Sequence, residues 1–142
     1  MILEEFAKAA EDPNVKEALE SRAFLKTQIL SNIDRCFKLI GDKPVKMDER
    51  LHDLITDNFR KELAEMKSPA VRRLYILAKA KQLIHLHIGE YTALTAMADV
   101  TKHFGVGVLL ESCLAENLAF IDRTRRLLGN LIASEMGTRL AA

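Results

Sequence analysis

The amino-acid sequence predicts an all-α protein, an up-and-down four-helix bundle with a short N-terminal helix. Prolines at Pro13, Pro44 and Pro69 divide the chain into blocks of helical length, because proline is tolerated in the first turn of a helix and breaks its middle. Within the blocks, apolar residues recur every three or four positions, which is the period of one helical face. Little sequence remains for strands, and short loops between long helices make neighbouring helices antiparallel.

The first part of the chain contains two predicted helices. A short helix covers residues 2–10 and ends before Pro13, and a long helix follows over about 14–40. The long helix directs one apolar stripe at the core, formed by Val15, Ala18, Leu19, Leu25, Ile29, Ile33, Cys36, Phe37 and Ile40. Gly41 is predicted to end this helix, because glycine readily adopts the left-handed conformation of a helix terminus.

Three more helices are predicted in the rest of the chain. Their bounds are about 47–66, 69–103 and 106–134. Ser68 and Pro69 form a strong start signal, a capping side chain followed by proline at the first helical position. Gly105 is predicted to separate the last two helices. The inward positions are Leu51, Leu54, Ile55, Phe59 and Leu63 in the first of the three, Val71, Leu74, Leu77, Ile84, Ile88, Tyr91, Leu94 and Ala98 in the second, and Leu110, Leu114, Asn117, Ile121, Leu128 and Leu131 in the last.

Composition indicates a single globular domain, which we place over residues 1–142. Apolar residues make up 49% of the chain and charged residues 29%, as is typical of a folded protein. Lys and Arg together number 21 and Asp and Glu 20, which leaves a net charge of +1. The one basic cluster, Arg123, Arg125 and Arg126, shares its helix with three acidic residues, so we expect no nucleic-acid partner.

Location and redox state follow from the ends of the chain and from its two cysteines. The N-terminal segment carries Glu4 and Glu5 and lacks the long apolar core of a signal peptide. No apolar run reaches the roughly 18 residues of a membrane span, so we expect a cytoplasmic protein without a membrane partner. Cys36 and Cys113 are isolated in different helices, which favours buried free thiols over a metal or redox site.

No catalytic or cofactor-binding residue is predicted. The serines lie within helices or at their ends, and no glycine-rich phosphate loop is present. Glu49 and His52 form a Glu-x-x-His pair on one helix face, the spacing used by metal ligands in helical bundles. The same spacing is common by chance, so a solvated face is the favoured interpretation of this pair.

Two further residues stand out because they lie on apolar stripes. His87 is one turn from Ile84 and is more often a hydrogen-bonded core residue than a ligand. Arg22 lies on the buried face of its helix, and a buried guanidinium group needs a polar partner. Glu90 and Asn117 are the two candidate partners.

Two long segments carry a recognisable family pattern. Residues 14–44 read NVKEALESRAFLKTQILSNIDRCFKLIGDKP, and residues 79–128 contain HLHIGEYTALTAMA, HFG and LLESCLAENLAFID. The first segment resembles the second helix, and the other the last two helices, of the YciE/YciF family of ferritin-like bacterial stress proteins. The resemblance implies a ferritin-like four-helix bundle around a carboxylate-bridged centre of two metal ions, in a family whose cellular activity is poorly defined.

The resemblance also implies where such a centre would lie in this chain. An Asp-Ala-Glu segment of the family's first helix is expected upstream of Leu3 and is missing. The family's other metal positions correspond to Arg22 and Leu25 in the second helix, to Ile84, His85, Leu86 and His87 in the next, and to Glu116 and Asn117 in the last. Two divalent cations need several anionic oxygens, and an arginine among them adds repulsion. We therefore expect no metal and no cofactor.

Three hypotheses about function follow. The first is a non-enzymatic, stress-associated structural or protein-interaction module that has lost its dimetal centre. We expect it to form a homodimer, because the shortened N-terminal helix leaves an apolar edge uncovered; any other protein partner stays unknown. The alternative is an iron- or manganese-binding protein with an altered site, whose weak candidate ligands are His87, Glu116, Glu49 and His52. A third option is a binder of a small apolar ligand between the helices.

Overall fold

The computed structural model describes residues 2–44 and 50–140, with the side chains of residues 51, 52 and 138–140 excepted. The helices in chain order are α1 (Ile2–Ala9), α2 (Pro13–Phe24), α3 (Lys26–Ile40), α4 (Arg50–Glu65), α5 (Pro69–Val100) and α6 (Phe104–Leu140). The described ranges contain no strand. The predicted all-α fold is therefore confirmed. The predicted start of the fourth helix near residue 47 lies outside the described residues.

The long helices form an antiparallel bundle in which α6 is the central element. It makes its largest interface with α5 and also contacts α3 and α2. Arg123 of α6 bonds to Glu17 of α2 over 2.9 Å, whereas the Cys36 thiol of α3 lies 4.0 Å from the carbonyl oxygen of Val106, near the start of α6. The order of contacts along α6 is therefore the reverse of that along α2 and α3. α5 and α6 are joined by three residues, which makes them antiparallel neighbours as well.

The long helix predicted over 14–40 is interrupted at Leu25, which separates α2 from α3. The Leu25 backbone has φ −63° and ψ −14°, which is still right-handed. Its amide bonds to the Ser21 carbonyl over 3.2 Å, and its carbonyl accepts from the Ile29 amide over 3.0 Å. The interruption is therefore a local break in one turn, and both halves remain against α6.

Two helix ends test the glycine signals. Gly41 ends α3 in the left-handed conformation, with φ 76°, as predicted. The prediction that Gly105 ends the next helix is wrong, because α5 stops at Val100 and Gly105 lies in the first turn of α6.

The end of α5 is formed by Lys102, whose φ is 61°. The Lys102 amide bonds to the Asp99 carbonyl over 3.1 Å, and the His103 amide bonds to the Ala98 carbonyl over 2.8 Å. These two bonds form a Schellman motif with lysine at the position that usually holds glycine.

Most predicted inward positions whose side chains are described are buried or half-buried. Four of them are largely exposed: Ile40 (44%), Leu54 (58%), Val71 (48%) and Leu94 (45%). The periodicity of a helix identifies its apolar face, but burial of that face also needs a covering element. α4, described over Arg50–Glu65, makes its main contacts with α1 and α5.

The helix α6 corrects the prediction that no segment is apolar enough to span a membrane. Between Phe104 and Gly137 it contains an 18-residue window with a mean hydropathy of 1.5. By length and composition alone this helix is sufficient for a span. A helix at the centre of a bundle has the same apolar character, because it packs against several neighbours. α6 contacts α5, α3 and α2.

Phe59 attaches α4 to the bundle. Its ring lies 4.1 Å from that of Phe6 and 5.8 Å from that of Tyr75, centroid to centroid, and the residue is 3% exposed. Phe59→Ala should lower the free energy of unfolding by about 3–5 kcal/mol in urea titrations, because a large cavity opens at this junction. Leu54→Ala on the same helix, 58% exposed, should change it by less than about 0.5 kcal/mol. Equal effects would contradict this role of Phe59.

Candidate functional site

A layer of polar residues crosses the core between two apolar clusters. One cluster extends from α1 through Val15, Leu19 and Ile84 to Phe120, and the other contains Cys36, Ala98 and Leu110. Between them lie Arg22 on α2, Asn32 on α3 and Asn117 on α6, which are 6%, 4% and 0% exposed. Buried polar groups are costly unless they are bonded, so this layer is the first place to look for function.

The centre of the layer is a hydrogen bond between Arg22 and Asn117. The Arg22 Nη2 atom donates to Asn117 Oδ1 over 2.8 Å, and Asn117 Nδ2 donates to the Cys113 carbonyl oxygen over 2.6 Å. Asn117 is thus one of the two partners that the sequence predicted for Arg22. No ion pair joins Arg22 to a carboxylate among the described residues, and its Nε atom is buried without a partner.

The charge of Arg22 is held in an apolar setting. Burial lowers the pKa of its guanidinium group, and the nearby Tyr91 and Glu116 oppose that shift. Arginine keeps its proton at any physiological pH. The bundle therefore carries one fixed positive charge at its centre.

The two cysteines adjoin this layer as buried free thiols, as predicted. Asn32 Nδ2 lies 3.8 Å from the Cys113 sulfur, and Gln28 Nε2 donates to Asn32 Oδ1 over 3.2 Å. Burial raises the pKa of both thiols, more than their neighbours lower it. Both cysteines therefore stay protonated and unreactive near neutral pH.

Asn32 is a member of the layer that the sequence analysis missed. It lies three residues after Ile29 and four before Cys36, so it shares the buried stripe of α3. A polar side chain at such a position is the same signal that identified Arg22 on α2 and Asn117 on α6.

Of the candidate metal ligands, the structure places His87 and Glu116. Both are half-buried. The Glu116 carboxylate raises the pKa of Arg22, and the Arg22 guanidinium group lowers the pKa of the His87 imidazole. Glu49 and the side chain of His52 lie outside the described residues. Within the described part of the chain, no three His, Cys, Asp or Glu side chains are grouped closely enough to hold a metal ion.

Each arginine of the basic cluster predicted on the last helix pairs with an acidic side chain. Arg125 and Arg126 both pair with Asp122, over 3.0 and 2.9 Å. Arg123 bonds to Glu17 over 2.9 Å and to the Ser21 hydroxyl over 2.8 Å, which joins α6 to α2. These arginines serve as structural contacts on the bundle surface.

Comparison with known proteins identifies the family. The sequence profile of a family described as a domain of unknown function, DUF892, matches residues 1–137. The chain belongs to this family. A search of curated proteins gives no match.

Two solved structures share the fold. The E. coli stress protein YciF superposes with a TM-score of 0.84 at 19% identity, over 93% of this chain and 84% of that one. YcfI from Rhodopseudomonas palustris, described as a protein thought to be structural, superposes with a TM-score of 0.81 at 22% identity, over 87% of this chain and 79% of that one. The predicted fold class, an all-α helical bundle, is thereby confirmed, as is the resemblance to the YciE/YciF family.

The described donor set does not fit a carboxylate-bridged pair of metal ions. Arg22 fills the centre with a positive charge, and its partner is the neutral amide of Asn117. A divalent cation beside this guanidinium group meets repulsion in a region of low dielectric constant. Leu25 and Ile84, two positions at which the sequence comparison placed family ligands, carry no donor atoms at all.

The Arg22–Asn117 bond should show strong coupling in a double-mutant cycle. Asn117→Leu leaves the buried guanidinium group without its partner and should lower the free energy of unfolding by about 2–3 kcal/mol. Adding Arg22→Met to Asn117→Leu should restore most of that loss, since an apolar pair removes the buried charge. Urea titrations of the wild type and of the single and double variants give the coupling energy. Additive effects would contradict a direct bond.

His87 should make stability depend on pH. Burial lowers the pKa of its imidazole below the usual 6.5, with Glu90 opposing and Arg22 reinforcing the shift. The unfolded chain then binds the proton more tightly, so the free energy of unfolding should fall as pH drops through about 6.5. Urea titrations at several pH values should show a weaker decline for His87→Gln. The exposed neighbour provides the control, His85→Gln, which should keep the decline of the wild type.

Proposed function

We propose that this chain is a non-enzymatic ferritin-like bundle that serves as a stress-associated structural or protein-interaction module. The family has no established function. The descriptions of YciF as a stress protein and of YcfI as a protein thought to be structural support this role. The proposal includes the loss of the dimetal centre that the family resemblance implies.

The observation that carries this proposal is the buried Arg22 guanidinium group. It donates to Asn117 at the centre of the bundle, between helices whose corresponding positions supply metal ligands in the family pattern. A cation built into the chain takes the place of metal charge and joins α2 to α6 without any ligand. Burial also keeps both thiols protonated, which argues against nucleophilic chemistry in this layer.

Metal content tests the proposal directly. Protein purified without chelator or affinity tag, from cells supplied with iron and manganese, should carry no near-stoichiometric iron, manganese or zinc in elemental analysis. The physical reason is the repulsion between Arg22 and any added cation. Stoichiometric metal that disappears in the double variant His87→Gln with Glu116→Gln would support the alternative, an altered iron or manganese site, and would overturn our proposal.

We further propose that two copies associate through apolar side chains at the α5–α6 turn. α1 buries its own apolar residues Ile2, Leu3, Phe6 and Ala7. Four strongly exposed apolar side chains lie close to the turn along the chain: Met97 (62%), Val100 (83%), Phe104 (64%) and Val108 (65%). Apolar patches of this kind are usual at interfaces between protein chains.

Light scattering coupled to size exclusion should give twice the chain mass at micromolar concentration. Val100→Lys should shift the protein towards the monomer, because a charge at the contact must be desolvated on association. Leu30→Lys, at a position on α3 that is 50% exposed, should leave the dimer intact. A monomeric wild type would contradict the proposed dimer.

A further inference from the structure

A cleft opens between α4 and α5, on the opposite side of α5 from its interface with α6. Its volume is about 470 Å³, within the range of sites for small organic molecules. Phe6 and Phe59 form its floor together with Ile55 and Leu83. The cleft is separate from the polar layer of Arg22 and Asn117.

The cleft lies beside the residues that attach α4 to the bundle. The aromatic contact of Phe59 with Phe6 and Tyr75 attaches α4 at one level of the bundle. Towards the N-terminus of α4 the apolar residue Ile55, which lines the cleft, is only half-buried. On the facing helix Leu86 is 51% exposed and lines the mouth of the cleft.

The charged groups at the rim neutralise one another. Glu62 accepts a hydrogen bond from the Tyr75 hydroxyl and pairs with Lys79 Nζ over 2.9 Å. These bonds lower the pKa of the Glu62 carboxyl, so it stays ionised and bound to Lys79. The cleft therefore offers no unpaired charge to an ionic ligand from these two residues.

Two amide side chains complete the rim, one on each helix. Asn58 on α4 and Gln82 on α5 both line the cleft. Neither side chain bonds to another group in the part of the protein that the structure describes. An amide offers both a donor and an acceptor, so the pair fits one hydrogen-bonding edge on a ligand.

We propose that this cleft binds an uncharged, mainly apolar small molecule with an aromatic or alicyclic body and one hydrogen-bonding group. The apolar floor receives the body, and Asn58 or Gln82 bonds to the polar group at the mouth. Compensation of Glu62 by Lys79 selects against ionic ligands, because a charged group here loses water without gaining a counter-ion.

Fluorescence titration of the full chain with N-phenyl-1-naphthylamine, an uncharged aromatic amine, tests the proposal. We expect saturable binding of one probe per chain. Leu86→Glu should weaken it about tenfold or more, because a carboxylate enters the apolar mouth. The matched control Leu94→Glu lies on the same helix, is 45% exposed and does not line the cleft. It should change binding by less than about twofold.

A second pair of variants keeps the test independent of any folding defect in Leu86→Glu. Gln82→Trp places an indole over the mouth at an exposed position and should also weaken binding about tenfold. Ala78→Trp, at an exposed position outside the cleft, should leave it unchanged. The anionic analogue 1-anilinonaphthalene-8-sulfonate should bind the wild type more weakly than the uncharged probe.

Three results would overturn the proposal. One is the absence of saturable binding, and another is equal weakening by Leu86→Glu and Leu94→Glu, which would place the probe elsewhere. The third is probe binding that is lost as the dimer forms and restored in a monomeric variant. That result would mean that a second copy covers the cleft.

Discussion

The hydrogen bond from Arg22 to Asn117 is the constraint on which the rest of the bundle depends. It lies at the level where α2 crosses α6, with an apolar cluster on either side, and it carries the one fixed charge of the buried layer. A buried guanidinium group is tolerated only when its partner is held in place. Asn117 is held by its own bond to the Cys113 carbonyl, within the same helix. Sliding α2 by one turn along α6 would leave Arg22 facing apolar side chains, so the bond fixes the register of the two helices.

The same burial that makes this bond necessary keeps the surrounding groups neutral. It raises the pKa of Cys36, Cys113 and Tyr91, and it lowers the pKa of His87. Each of these groups is thereby pushed towards its uncharged form. Nucleophilic chemistry by a cysteine needs the opposite, a thiolate that is stabilised near neutral pH. The burial of the layer thus disfavours a reactive thiol, as it disfavours a second cation beside Arg22.

Much of the fold could be predicted from the sequence, because helix boundaries and apolar faces are local properties. Pro13, Ser68 with Pro69, and Gly41 act where the sequence places them, since each works through its own backbone geometry. The prediction from Gly105 was wrong because Lys102, three residues earlier, adopts the left-handed conformation that ends α5. The two hydrogen bonds of the Schellman motif offset the conformational cost of a non-glycine residue there. Only part of the polar layer was predicted from the sequence. Asn117 was one of two candidate partners of Arg22, and Asn32 was not predicted. The choice between Asn117 and Glu90 needed the rotation of α5 and α6 relative to α2, which no local pattern encodes.

What the sequence could not reveal at all is the loose attachment of α4. Its apolar face reads like those of the other helices, yet Leu54 is exposed and Ile55 only half-buried. Burial depends on partners, and α4 has α1 and α5 as its main ones, whereas α6 packs against α2, α3 and α5. Its described contacts with neighbouring helices include the ring of Phe59 and the ion pairs of Arg60 with Glu5 and of Glu62 with Lys79. An element covered on few sides opens at lower free energy than the rest of a domain. The cleft between α4 and α5 is therefore a consequence of the few contacts that these two helices make with each other.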